Sequence, residues 1–288
     1  MQNTAIVEST NRTPGMANPA ATLPLTKTVR SKDGTAIAFD RIGTGPSLIL
    51  VDPALCDRGV GQSAQLATLL APHFTVFTYD RRGRGESGDT LPYAVAREIE
   101  DIAALLTEAG GTAFMWGMSS GAVLALEAAN QLRGITKLAI YEAPFIVDDS
   151  RSTTGNQLAR IDEAVAAELP GEAVKVFLQT VGLPAFVIAL MRWMPVWSKL
   201  KALAHTLPYD GAIVRDYQQG QPLPASRWAA VTVPTLVMDG GKSPRWMRHG
   251  NLALAHTLPS AEYRTLDGQT HMFKPKAHAP TLLAFFKG

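Results

Sequence analysis

Gly117-Met118-Ser119-Ser120-Gly121 follows a short apolar run, Ala113 to Trp116, and opens a helical one, Ala122 to Gln131. Strand, tight turn and helix in that order hold a serine on a sharp bend with its hydroxyl clear of both elements. Small residues two before and two after Ser119 let the backbone turn that tightly, with the serine itself in a strained conformation. Gly-x-Ser-x-Gly arises often by chance, so the pattern around it carries the argument.

Working outward, Thr26 to Arg30 and Ala36 to Arg41 flank Lys32-Asp33-Gly34 and read as an opening β-hairpin turning on Asp-Gly. Ser47 to Val51, bounded by Gly45-Pro46 and Pro53, has the length and apolarity of a buried strand. A helix at Gln62 to Leu70 and a strand at Phe74 to Tyr79 follow. Tyr93 to Ala109 carries apolar residues at 95, 99, 102, 105, 106 and 109, a helical stripe closed by Gly110-Gly111. Beyond the pentapeptide, Ile135 to Tyr141 returns to strand. This alternation predicts an α/β fold, a mostly parallel sheet covered by helices on both faces. Ligands of such sheets collect at the carboxyl ends of the strands.

Between Glu142 and Val233 the strand rhythm stops, and helical segments run from about residue 154 to 206, punctuated by Pro170-Gly171, Pro184 and Pro195. Phe177, Phe186, Trp193 and Trp197 make this stretch too apolar for a solvated linker. It reads as a helical cap over residues 145–229, inserted between core segments 23–144 and 230–288. Trp193 and Trp197 are expected to line a substrate pocket beneath it. Strand and helix resume at Thr235 to Met238, Trp246 to His256, Tyr263 to Leu266 and Pro280 to Phe286. Leu-Ala-His-Thr-Leu-Pro occurs at 203–208 and again at 254–259, which proline-stopped helix ends explain without a repeat.

Composition narrows the function classes. In a chain of 288 residues, 46% hydrophobic and 18% charged, there is material for a sizeable core. A net charge of +2, without a basic cluster interleaved with aromatics, argues against a nucleic-acid partner. Cys56 stands alone, so no intrachain disulfide and no thiolate metal cage can form. Residues 1–22, rich in Asn, Thr, Pro and Ala, lack the basic start and apolar stretch of a secretory signal and read as a flexible arm. No apolar run approaches the ~20 residues of a spanning helix. A cytoplasmic protein with no membrane partner is expected, and its oligomeric state is left open.

A serine hydroxyl becomes a strong nucleophile only when a base takes its proton. His271, in Asp267-Gly268-Gln269-Thr270-His271 directly after the last strand, is the candidate; His73, His205, His249, His256 and His278 suit surface or helix-end roles. With serine before histidine on this framework, the chain resembles the α/β-hydrolase fold family from about Thr26 onward. Tyr79 to Gly88, containing Asp80-Arg81-Arg82-Gly83-Arg84-Gly85, is similar to a loop of that family. Gly83 to Gly88 also matches Gly-x-Gly-x-x-Gly, but no apolar helix opens inside it, which argues against dinucleotide binding.

The resemblance implies an oxyanion hole made by the backbone N–H of Ser120 and of Ala54, in a loop where the family usually shows His-Gly and this chain has Asp52-Pro53. It also implies a third, acidic member. The common position, four residues past the end of the penultimate strand, aligns here with Ser243 in Asp239-Gly240-Gly241-Lys242-Ser243. Some members, haloalkane dehalogenases among them, carry the acid after the strand that follows the serine's helix. Glu142, 23 positions after Ser119, fits that arrangement, with Asp239 as the alternative acid. Glu142 could instead serve as a helix-start or salt-bridge residue, and Asp239 as a strand-end turn residue.

These readings converge on a serine hydrolase that cleaves an ester or lactone of a small to medium apolar molecule through an acyl-enzyme, without metal or organic cofactor. A carbon–carbon bond hydrolase and a cofactor-free perhydrolase share the scaffold. A non-catalytic small-molecule binding protein is the alternative from another class.

Overall fold

The computed structural model describes residues 27–288. The expected arm over residues 1–22 and the first residue of the expected hairpin, Thr26, lie outside them. β1 (Lys27–Arg30) and β2 (Ala36–Ile42) form the hairpin, with Gly34 at φ +87° in its turn. β3 (Ser47–Val51), β4 (Thr75–Tyr79), β5 (Ala113–Met118), β6 (Ile135–Tyr141), β7 (Thr235–Gly240) and β8 (Ala261–Leu266) complete an eight-stranded sheet of order β1-β2-β4-β3-β5-β6-β7-β8. β2 runs antiparallel to β1 and β4, and every other neighbouring pair is parallel.

The helices cover both faces because the central strands are apolar on both. In β3, Ile49 and Val51 pack on one side with α2 (Val95–Glu108), α3 (Ser120–Gln131) and α9 (Arg245–Thr257). Leu48 and Leu50 point to the other side, against α1 (Ser63–Leu70) and α10 (Pro275–Lys287). The final helix therefore begins five residues before the expected Pro280. Pro275 starts it, where a missing N–H costs nothing, and Pro280 is carried inside.

Five helices separate β6 from β7: α4 (Gly155–Ala166), α5 (Pro170–Thr180), α6 (Ala185–Met191), α7 (Pro195–Leu203) and α8 (Leu207–Val214). Pro170, Pro195 and Pro208 sit in first turns, so the prolines that punctuate this stretch start helices rather than break them. Leu158, Ile161, Val174, Trp197 and Leu203 give the insertion an apolar cluster of its own, joined by Leu55 from the loop after β3. No helix among the described residues is long and apolar enough to cross a membrane.

Register sets where the chemistry collects. Val51 pairs with Gly117, Met118 with Tyr141, and Tyr141 with Met238. The residues that leave β3, β5 and β6 thus emerge at one edge of the sheet, as the parallel order requires.

Candidate active site

Ser119 sits between β5 and α3 at φ 55° and ψ −126°, a region non-glycine residues rarely occupy. Both flanking glycines are sterically required. A Cβ on Gly117 would lie 2.5 Å from the Gly121 carbonyl oxygen, and one on Gly121 would lie 2.5 Å from the carbonyl oxygens of Val51 and Asp52. The Ser119 N–H donates to the Tyr141 carbonyl at 3.0 Å, which ties the bend to β6. Its hydroxyl makes no hydrogen bond among the described residues; such contacts commonly tighten only when substrate binds.

Glu142 leaves β6 fully buried and at φ 49°. Its Oε2 lies 2.7 Å from His271 Nδ1. Its Oε1 accepts the Gly240 N–H at 2.8 Å and the Ser243 hydroxyl. Ser243, at the place where the resemblance leads one to look for the acid, therefore supplies a donor to the carboxylate that reaches the histidine from another strand. Asp239 is buried too, but its Oδ2 accepts the Tyr263 hydroxyl and faces Arg248 Nε at 3.6 Å, whereas the carboxylate on His271 is that of Glu142.

The loop that carries His271 is fixed from below. Tyr141 Oη donates to the Thr270 carbonyl at 2.6 Å, and Gln269 Oε1 accepts the Lys274 N–H at 3.0 Å. Gly240 admits the loop, since a Cβ there would lie 2.5 Å from the Gln269 carbonyl oxygen. With the Nδ1 proton directed at Glu142, Nε2 is left as the acceptor.

Ala54, Ser119, Ser120 and His271 line one cavity, closed over by Leu158, Ile161, Phe177 and Val214 of the inserted helices and by Trp246 of α9. The space open to the centre of a water molecule is about 110 Å³, enough for a small molecule. Neither tryptophan expected in this wall is there. Trp193 stands on the outside of the molecule, 90% exposed, and Trp197 packs inside the insertion's own cluster. Helical spacing shows that a residue has an apolar face to satisfy, and not whether core or cavity satisfies it.

A buried charge network that sequence reasoning missed lies behind the two expected oxyanion amides. Arg84 Nη1 donates to the Pro53 carbonyl at 2.7 Å, and because the peptide is planar this fixes the direction of the Ala54 N–H. Asp210 of α8 accepts from Ser120 Oγ at 2.7 Å, Arg81 Nη1 at 2.8 Å and Arg84 Nη2 at 2.6 Å. Arg81 also grips both oxygens of Glu98, at 2.7 and 2.8 Å. Burial alone would raise the Asp210 carboxyl, but Arg84, Arg81 and the Ser120 hydroxyl hold it below its ordinary value. Asp52 shows the opposite balance: burial pushes it up to about 7 against the pull of Ser63, Arg84 and Arg81. Nothing in the pattern of Asp80-Arg81-Arg82-Gly83-Arg84 distinguishes a solvated run from three buried guanidiniums, and Asp210 comes from an element 126 positions beyond Arg84.

A sequence profile described as the alpha/beta hydrolase family matches residues 55–281. The chain belongs to that family. Its fold is shared by an alpha/beta hydrolase from Sphaerobacter thermophilus DSM 20745, 51% identical over 90% of this chain and 100% of that one, with a TM-score of 0.83. A hydrolase from Pseudomonas aeruginosa PA01 is 25% identical over 94% of this chain and 100% of its own, at a TM-score of 0.70. A thermophilic esterase from Thermogutta terrifontis, solved with malate bound, is 20% identical over 91% of this chain and 98% of that one, at 0.68.

Proposed function

We propose that the protein is a serine hydrolase that cleaves a carboxylic ester or lactone of a small, largely apolar molecule. The observation that carries this reading is the strained Ser119 sharing a cavity with His271, whose Nδ1 is 2.7 Å from the buried Glu142 carboxylate. Ser119 Oγ attacks the carbonyl carbon as His271 Nε2 takes its proton, and Glu142 stabilises the imidazolium that forms. The amides of Ala54 and Ser120, neither of which meets a backbone or side-chain acceptor among the described residues, hold the developing oxyanion. His271 then returns the proton to the departing alkoxide, leaving an acyl-enzyme. Water, deprotonated by His271, attacks the acyl carbon, Ser119 recovers the proton and the carboxylic acid departs.

Helices α4–α8 act as a cap that screens this chemistry from bulk water. The fold also serves an esterase, but at 20% identity that likeness concerns the fold alone, and the chemistry rests on the site residues. Free Cys56 and the lack of a spanning helix among the described residues suit a reducing cytoplasm.

A fluorophosphonate probe tests the mechanism directly. Ser119 should be labelled stoichiometrically, Ser119→Ala should not react, and His271→Ala should react slower by on the order of 10³-fold or more. A wild-type protein inert to the probe and to a screen of esters and lactones would overturn the reading, while turnover of β-diketones alone would move it to carbon–carbon bond hydrolysis.

A further inference from the structure

Arg151 follows β6 and enters the wall of the cavity that holds Ser119 and His271. Among the residues lining that cavity it is the one lysine or arginine, and Asp210 is the one carboxylate. Asp210 has both oxygens committed to Arg81, Arg84 and Ser120. Arg81, Arg82 and Arg84, the fully buried arginines, are each paired with carboxylates. For Arg151, no carboxylate comes within ion-pair distance among the described residues. One Nη donates to the Thr180 carbonyl, and the guanidinium carbon stacks 4.0 Å from the centre of the Trp246 ring.

That environment is costly for the free protein. Burial lowers the Arg151 pKa and no neighbouring acid opposes it, yet a guanidinium stays charged at any pH the fold tolerates. A half-buried charge beside Leu158, Ile161 and Phe177 is poorly solvated, and a counter-ion brought by a ligand relieves it. The Trp246 stack holds the guanidinium plane, and one Thr180 contact leaves further N–H donors for a planar, two-oxygen partner. A carboxylate matches both that geometry and the single charge, whereas a phosphate dianion would leave charge unmatched. Arg151, Thr154 and Thr180 also border a polar groove on the outside with Arg160, so the guanidinium stands where the cavity meets solvent.

We propose that the substrate carries a free carboxylate, held by Arg151, in addition to the ester or lactone that Ser119 attacks. The inference rests on the serine hydrolase reading and makes the site one for carboxylate-bearing esters or lactones rather than for uniformly apolar ones.

Two pairs of matched substrates test it. Monoethyl adipate and ethyl hexanoate differ in charge on the acyl side, and 4-acetoxybenzoate and 4-methylphenyl acetate on the alcohol side. Wild type should favour the acid in at least one pair. Arg151→Met should lower that preference, as a ratio of kcat/KM values, by on the order of 10- to 100-fold and mainly through KM, with Arg151→Lys keeping part of it. No preference in either pair, or a preference untouched in Arg151→Met, overturns the proposal.

Calorimetry with adipate and 4-hydroxybenzoate on Ser119→Ala, with and without Arg151→Met, needs no turnover. Binding that depends on Arg151 without ester hydrolysis would keep the carboxylate subsite and sink the hydrolase reading. Ester hydrolysis without acid preference would do the reverse, and absence of both would sink both.

Discussion

Glu142 is held by three donors in a backbone conformation unfavourable to it, with the Gly240 N–H and Ser243 hydroxyl on one oxygen and His271 on the other. A neutral amide can keep one hydrogen bond to the imidazole but cannot stabilise its positive charge. Glu142→Gln should therefore retain the fold and lower kcat by on the order of 10³- to 10⁴-fold. Asp239→Asn, which disturbs only the Tyr263 and Arg248 contacts, should change kcat by less than about tenfold and appear mainly as lost stability. Steady-state kinetics on the two variants decide between them. A larger kcat loss in Asp239→Asn would reassign the acid.

The serine bend alone does not build the reactive edge. The loop after β3 delivers Ala54, the loop after β4 delivers Arg81 and Arg84, and α8 delivers Asp210 to bind both arginines and Ser120. Removing one oxyanion donor in a serine hydrolase costs roughly 10²- to 10³-fold in kcat, and displacing the groups that aim the donors costs a share of that. Asp210→Asn should lower kcat by about 10- to 100-fold with a smaller change in KM, because the amide donors act mainly on the transition state. It should also destabilise the fold by about 3–5 kcal/mol, since two buried guanidiniums lose their shared carboxylate. A loss confined to melting temperature, with kcat intact in the folded fraction, would make Asp210 purely structural.

Over the whole molecule, the inserted helices have a core separate from the two that flank the sheet. Trp197 belongs to that core, so Trp197→Ala should cost about 3–5 kcal/mol of stability and leave the ranking of ester chain lengths unchanged, as read by chemical denaturation and a substrate series. Asp52 gives the fold a pH signature. Burial pushes its folded value up to about 7, above the ordinary 3.8 of an aspartate, so the native state keeps a proton that the unfolded chain has released between those limits. The Asp52 contribution to stability is thus full below about pH 4 and lost as pH rises through its folded value. Urea unfolding at pH 5 and pH 8 should show wild type losing stability relative to Asp52→Asn over that interval. Parallel curves for the two proteins would show that the carboxyl does not titrate there.

Strand and helix positions were legible because apolar periodicity reports directly on which face of an element is buried. β5, α3 and β6 appear within one or two residues of their expected bounds. Gly117 and Gly121 were legible because a sharp bend tolerates no Cβ at either place, against the Gly121 carbonyl for Gly117 and the Val51 and Asp52 carbonyls for Gly121. His271 and Glu142, each just past a strand end, followed instead from the family resemblance, which left Asp239 open as the alternative acid. What the chain could not disclose by itself is which apolar side chain faces a cavity and which a core, as Trp193 and Trp197 illustrate. Nor could it disclose that Ser243 hydrogen-bonds Glu142, or that Asp210 reaches back to Arg81, Arg84 and Ser120. Periodicity and turn chemistry act over a few residues and leave a trace in sequence. Burial of a charge against a partner on a distant element depends on how whole elements pack, and only the tertiary structure decides that.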